Sequence, residues 1–271
     1  MSQKRTAFFI SDGTALTVES LGGSLLAQFE QAQFNRVTIP YVDTIAKAQD
    51  VVAKVTAVKQ QDGTNPLIFD TIVNQDIRAV ISTCDAFKVD VFGSFIRPLE
   101  TELELSSSRS IGKQHSIERN VAYHSRIEAM HYALDNDDGA ITRDYDKADI
   151  ILVGVSRSGK TPTCLYMALQ FGVRAANYPI TEDDLDEMDL PKVLRPFRKK
   201  IYGLTINPRH LQAIRQERKP DSRYASARNC DNEVRGVESI LRRAGIPFVD
   251  TTHYSIEEIS TRILADKGLR N

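Results

Sequence analysis

One octet constrains this chain more than any other stretch: GVSRSGKT, residues 154–161, stands directly behind the apolar run KADIILV and directly before PTCLYMALQF. Its glycines, lysine and hydroxyl follow the spacing G-x-x-x-x-G-K-[ST], and its setting predicts a strand, a loop and a helix. Gly154 and Gly159 permit backbone angles and close approaches that a Cβ forbids. The intervening amides, carried by Val155, Ser156, Arg157 and Ser158 and continuing to Lys160, can curl around an anion as a nest. The helix that follows turns its positive end toward the same anion. Lys160 adds a full charge at the outermost phosphate, and the Thr161 hydroxyl is suited to ligating Mg²⁺. Residues 154–161 are therefore the candidate phosphate site, with Thr161 as its metal ligand. Pro162 falls in the first helical turn, where a missing N–H has no intrahelical acceptor to lose.

The rest of the chain places this octet in an α/β frame. RTAFFIS reads as a first strand, TALTVESLGGSLLAQFE as a helix, RVTIPYV as a second strand, and DTIAKAQDVVAKVTAVKQQ as a helix with Asp43 as N-cap. NPLIFDTIV is a third, almost wholly apolar strand, and QDIRAVISTCDAF and VDVFGSFIRPLETEL read as helical. IERNVAYHSRIEAMHYALDNDDG is a helix with an apolar face of Val121, Ile127, Met130 and Leu134. After the octet come the strands VRAANYPI, IYGLTI and IPFVDTT, a helix started by Asn207–Pro208, a long polar helix over 222–243, and a last helix with a capping box at Ser255 and Glu258. Strands alternating with helices imply a parallel sheet covered on both faces. The expected fold class is α/β, a parallel-sheet αβα sandwich: an N-terminal α/β half over 1–104, a Ser-rich linker over 105–117, and a C-terminal P-loop kinase-like half over 118–271. No internal repeat is evident.

Composition narrows the partners. Over 271 residues the net charge is −1, which argues against wholesale binding of nucleic acid or of an anionic membrane. No run approaches the roughly 20 apolar residues of a membrane span, and the N-terminus lacks the apolar run of a signal peptide. Cys84, Cys164 and Cys230 are odd in number and lack metal-ligand spacing, so they read as reduced thiols of a cytoplasmic protein.

A P-loop usually works with a second acidic group at the end of a neighbouring strand. Three residues have that form: Asp12 after AFFIS, Asp70 after PLIF and Asp250 after IPFV. Each also suits a helix cap or turn. A carboxylate must further orient the attacking oxygen, and Asp12 and Asp70 are the candidates for this catalytic role beside Lys160. In SRYASARN, Arg223 and Arg228 suit phosphate contacts and Tyr224 suits stacking on an adenine, although helix-surface arginines look the same. RPFRKK and TEDDLDEMDL read as solvated charge, and His124 and His131 lack partners at metal-ligand spacing.

The motifs FISDGTA (9–15), NDDG (136–139), ILVGVSRSGKTPTCLYMALQFGVRAANYPI (151–180), YGLTINPRHLQAIRQER (202–218), SRYAS (222–226) and HYSIEEI (253–259) carry a closer likeness. The chain resembles, over nearly its whole length, the phosphoenolpyruvate synthase regulatory proteins, which are related to the regulatory proteins of plant pyruvate, phosphate dikinase. The resemblance implies a bifunctional enzyme. As a serine/threonine kinase it uses ADP as donor and inactivates phosphoenolpyruvate synthase at a threonine near the catalytic histidine. As a pyrophosphorylase it removes that phosphate with inorganic phosphate as acceptor. It also loosely implies a homodimer. The residues themselves show only a phosphate site. They fit equally an ATP-dependent P-loop kinase of small molecules, or a non-catalytic nucleotide-sensing switch.

Overall fold

The computed structural model describes residues 4–108, 118–139 and 142–269. The chain divides into two compact units, Met1–His115 and Ser116–Asn271. Residues 109–117 of the expected linker lie outside the described residues.

The first unit runs β1 (Lys4–Ile10), α1 (Leu16–Leu26), β2 (Gln33–Ile39), α2 (Ile45–Asp62), β3 (Leu67–Asp70), α3 (Gln75–Ser82), β4 (Phe87–Asp90) and α4 (Val91–Leu103). Its strands are all parallel and lie in the order β2-β1-β3-β4. Alternation along β1 divides the core into two layers. Phe8 and Ile10 pack with Val51 and Val55 of α2 and with Ile77 and Ile81 of α3. Ala7 and Phe9 face the opposite way, toward Val18 and Leu26 of α1, with Phe9 stacked on Phe69 at 5.6 Å between ring centres.

The second unit runs α5 (Glu118–Asp135), β5 (Ile150–Gly154), α6 (Lys160–Phe171), β6 (Ala175–Pro179), α7 (Glu182–Asp186), β7 (Ile201–Thr205), α8 (Pro208–Arg218), α9 (Ala227–Arg243), β8 (Phe248–Asp250) and α10 (Ile256–Asp266). Its strands are parallel in the order β6-β5-β7-β8. Ile151, Val153 and Ile201 pack against Val234, Val237 and Leu241 of α9. Ile150, Leu152 and Leu204 pack on the other face against Ala129 of α5, Met167 of α6 and Ile263 of α10. Every residue of β5 is buried, and each of its large aliphatic side chains contributes roughly 1.5–3 kcal/mol on leaving water. Both units are thus helix–sheet–helix layers, and both wind their strands in the same order although no repeat is visible in the sequence.

Several expectations are corrected. Phe87–Asp90 is a strand inside a stretch read as helical; it is short and half-exposed, so it lacks the apolar run of β3. The cap of α2 is Thr44, whose hydroxyl accepts from the Lys47 amide at 3.3 Å, while Asp43 forms an ion pair with Lys47 at 2.7 Å. The inner face of α5 is Ala129 and Ala133 with the expected Met130 packed beside them, whereas Leu134 is exposed. Small residues win there because α5 lies along α6; Val121 lies outside the residues whose side chains are described. The long polar helix starts only at Ala227, behind a 3₁₀ turn over Arg223–Ala225. The capping box at Ser255 and Glu258 is present in both directions, at 2.8 and 3.3 Å.

Candidate functional site

β5 leads through α6 to β6 on one side, and the chain then crosses to β7 on the other. The winding of the second sheet therefore reverses between the carboxyl ends of β5 and β7, the place where open α/β sheets bind ligands. GVSRSGKT leaves β5 at this point. Gly154 pairs with Leu204 of β7, and a Cβ on it would lie 2.2 Å from the Leu204 carbonyl oxygen. Gly159 is the N-cap of α6 at φ 87°, a left-handed conformation. Gly154→Ala accordingly costs about 1–3 kcal/mol or more by forcing two backbones apart, read as a lower melting midpoint of the purified protein; an unchanged midpoint would show that the contact yields freely.

The loop's carbonyls are held from inside. Lys160 is buried in the first turn of α6, and its Nζ donates to the Val155 carbonyl at 2.9 Å. The Thr251 hydroxyl shares its one proton between the Thr205 carbonyl at 3.0 Å and the Ser158 carbonyl at 3.2 Å, which ties the loop to the end of β7. In a trans peptide the next N–H points opposite to the carbonyl, so the amides of Ser156 and Gly159 face the other way. Arg157 takes φ 77°, which continues this curl. These amides lie at the positive end of a helix, while the Lys160 ammonium is engaged on the inner side with the Val155 carbonyl. Burial pulls the Lys160 ammonium down to about 8, against the opposing pull of Asp138 and Asp137.

Asp137 is the acidic partner of this loop. The Thr161 hydroxyl donates to Asp137 Oδ1 at 2.8 Å, and the amide group of Asn177 donates to the same oxygen. Asn177 is fully buried in β6 and accepts from the Asp138 amide at 3.1 Å. Backbone bonds from Asn177 N to Asn136 O at 3.2 Å and from Gly139 N to Asn177 O at 3.1 Å fasten residues 136–139 along the outer edge of β6. The Thr161 hydroxyl, with its O–H directed to Asp137, keeps its oxygen lone pairs for a cation. Among the described residues no group of three or more His, Cys, Asp or Glu could hold a metal ion by itself. One hydroxyl and one carboxylate nonetheless fit Mg²⁺, a hard ion that is usually held by one or two protein oxygens and the phosphates of its substrate.

Of the three expected strand-end acids, only Asp250 belongs to this unit, and it closes a turn by accepting from the Thr252 amide at 2.8 Å. Its neighbour Thr251 is the residue that reaches the loop. Asp12 and Asp70 stand together in the first unit, at the carboxyl edge of its sheet. Asp12 accepts from the Val73 amide at 2.7 Å. Asp70 is buried, accepts from the Ile72 amide at 3.3 Å and lies 3.5 Å from Arg78, which forks to Asp90 at 2.8 and 2.9 Å. Burial pushes the Asp70 carboxyl up to about 6, with Arg78 opposing.

A cavity of about 390 Å³ opens beside the loop, lined by Ser156, Ile180, Glu182, Tyr224 and Asn229 among others. The Tyr224 hydroxyl lies 3.0 Å from the Ser156 hydroxyl, and Arg223 pairs with Glu182 at 3.1 Å; Arg228 lines a neighbouring hollow. RPFRKK is a 3₁₀ turn, and TEDDLDEMDL holds the short α7 with a capping box from Thr181 to Asp184. His124 and His131 are exposed. The sequence reading missed Asp137, Asn177 and Thr251. Asp137 lies in NDDG, one of the motifs quoted above, where its local signal is only that of an Asp/Gly turn ending the helix.

A family model described as kinase/pyrophosphorylase matches residues 7–264. A protein of Pseudomonas putida (strain GB-1) is 60% identical over 266 residues, covering 98% of each chain. One of Marinobacter nauticus is 58% identical over 267 residues, again with 98% of each chain covered. One of Pseudomonas aeruginosa (strain LESB58) is 58% identical over 269 residues, covering 99% of this chain and 98% of the relative. All three carry the provisional name phosphoenolpyruvate synthase regulatory protein. Among the described residues no helix is long and apolar enough to cross a membrane.

Proposed function

The chain belongs to the kinase/pyrophosphorylase family, and from that membership we propose that it moves a phosphoryl group onto and off a threonine of phosphoenolpyruvate synthase. In the forward direction the threonine oxygen attacks the β-phosphorus of ADP, the bond to the α-phosphate oxygen breaks, AMP leaves, and the hydroxyl proton passes to a carboxylate. In the return direction an oxygen of inorganic phosphate attacks the phosphothreonine phosphorus, and threonine and pyrophosphate are released. The names of the relatives support the target, and the geometry of one loop supports the chemistry.

The observation that carries this reading is the inward anchoring of the Val155 and Ser158 carbonyls by Lys160 and Thr251. By peptide planarity it turns the Ser156 and Gly159 amides toward the opposite side, and the Lys160 ammonium would join them there by giving up the Val155 carbonyl for a bound phosphate. Residues 154–161 would hold the terminal phosphate of ADP in one direction and free phosphate in the other. Catalysis of this kind rests on positioning and charge stabilisation. Thr161 and Asp137 would hold Mg²⁺, which supplies charge neutralisation between neighbouring phosphates. Asp12 and Asp70 are proposed to orient the attacking oxygen.

The deciding experiment incubates the protein with phosphoenolpyruvate synthase and ADP labelled at the β-phosphate. The expected result is label on a target threonine, removed again by inorganic phosphate with appearance of labelled pyrophosphate. Label from ATP alone, or turnover without a protein substrate, would point to a small-molecule kinase. Tight nucleotide binding with no transfer would point to a switch. Either outcome ends the proposal.

A further inference from the structure

Arg215, in the middle of α8, is fully buried. A guanidinium cannot shed its charge, so its burial requires an opposite charge and acceptors for most of its N–H groups. Glu233 of α9 supplies the counter-charge as a fork, with Nη1 to Oε1 at 3.0 Å and Nη2 to Oε2 at 2.7 Å. Two backbone carbonyls take further bonds, Nη1 donating to Tyr224 and Nη2 to Ser156, both at 3.1 Å; Cys230 Sγ lies 4.0 Å from Nη1, and Nε has no hydrogen-bond partner among the described residues. The Tyr224 ring covers the guanidinium at 4.0 Å.

A buried ion pair is weak evidence for stability, because apolar residues of similar volume often fold as well or better. What an apolar pair could not do is bind the Ser156 carbonyl. That carbonyl lies inside the phosphate loop, and the N–H of the same peptide belongs to Arg157. Since the two point in opposite directions, the bond to Arg215 aims the Arg157 amide at the concave side. Arg157 also holds φ 77°, a conformation a non-glycine residue keeps only when its surroundings impose it. Lys160 and Thr251 contact the Val155 and Ser158 carbonyls; Arg215 holds Ser156–Arg157, one of the two peptides between those they touch.

We propose that Arg215, balanced by Glu233, is a positioning residue that locks the Ser156–Arg157 peptide with its N–H toward the phosphate. This rests on the reading of residues 154–161 as the phosphate grip.

The test titrates inorganic phosphate and, separately, ADP into ¹⁵N-labelled protein, following loop amides by NMR and affinity by calorimetry. Unaltered protein is compared with the double variant Arg215→Met/Glu233→Leu, which removes both charges together. The expected result is a folded variant that binds phosphate about tenfold more weakly or worse, with the Arg157 amide no longer shifting on titration while the Gly159 amide still does. Should the double variant not fold, Arg215→Lys carries the same measurement, since it keeps a charge against Glu233 but cannot span carboxylate and carbonyl at once. A folded variant that binds phosphate within twofold of the unaltered protein, with a normal Arg157 shift, overturns the positioning role alone. No shift of any loop amide in the unaltered protein overturns the phosphate reading and this proposal with it.

Discussion

On the proposed function, Lys160→Ala is expected to lower both ADP-dependent phosphorylation and phosphate-dependent release by on the order of 10³-fold or more, because one charge would serve the transferred group in both directions. The measurement is label transfer to and from the target threonine under single-turnover conditions. Retention of either activity near the rate of the unaltered protein would remove the shared grip. The pH dependence follows from burial, which holds the ammonium near 8. As pH rises through about 8 the charge is lost, and both activities decline together on that limb. Stability moves the other way. Because the folded value lies below the unfolded one, burying the charge costs stability below about pH 8, and this cost disappears as pH rises toward 10.5. The difference amounts to roughly 3 kcal/mol by linkage. Lys160→Met, which keeps most of the side-chain volume, should therefore melt no lower than the unaltered protein at pH 7 while remaining inactive. That combination separates loss of charge from loss of fold.

Asp70→Asn is expected to raise stability and lower turnover. Burial pushes the Asp70 carboxyl from 3.8 up to about 6. Between these values the folded chain keeps a proton that the unfolded chain releases, so stability falls as pH rises from about 4 to 6. Above that window the buried charge costs roughly 3 kcal/mol. Asparagine removes the charge, and Arg78 keeps its fork to Asp90. The variant should melt a few degrees higher at pH 7.5, with a flatter stability profile between pH 4 and 6. If Asp70 or Asp12 orients the attacking oxygen, Asn at that position lowers turnover by roughly 10²–10⁴-fold and leaves ADP affinity unchanged. Unchanged turnover in both variants would show that the orienting group lies elsewhere, and a lower melting point for Asp70→Asn would show that its charge is compensated after all.

The parts of this fold that were legible in the sequence are those whose signal is local. β5 is a run of buried aliphatics, α6 begins at a glycine and ends at Gly172 with φ 69°, and the octet between them has its chemistry written in residue type. What was hidden depended on partners far along the chain. The edge strand Phe87–Asp90 earns its pairing from β3 rather than from its own pattern. Asp137 gains its role only because residues 136–139 are fastened to β6 some 40 positions later. Arg215 sits in PRHLQAIRQER, a stretch too polar to announce a buried residue, and its burial is explained by the Glu233 fork together with the Tyr224 and Ser156 carbonyls. Periodicity finds faces; it does not find a charge neutralised from another helix.

β5 is bonded along its whole length to β6 and, from Ile151 to Gly154, to β7 as well. The root of the octet therefore cannot loosen without opening two ladders together, the kind of event that belongs to the rarest and most global fluctuations of a domain. If the proposed function holds, the plasticity needed to admit two different nucleophiles in turn must come from the borders of the loop, since its root is fixed.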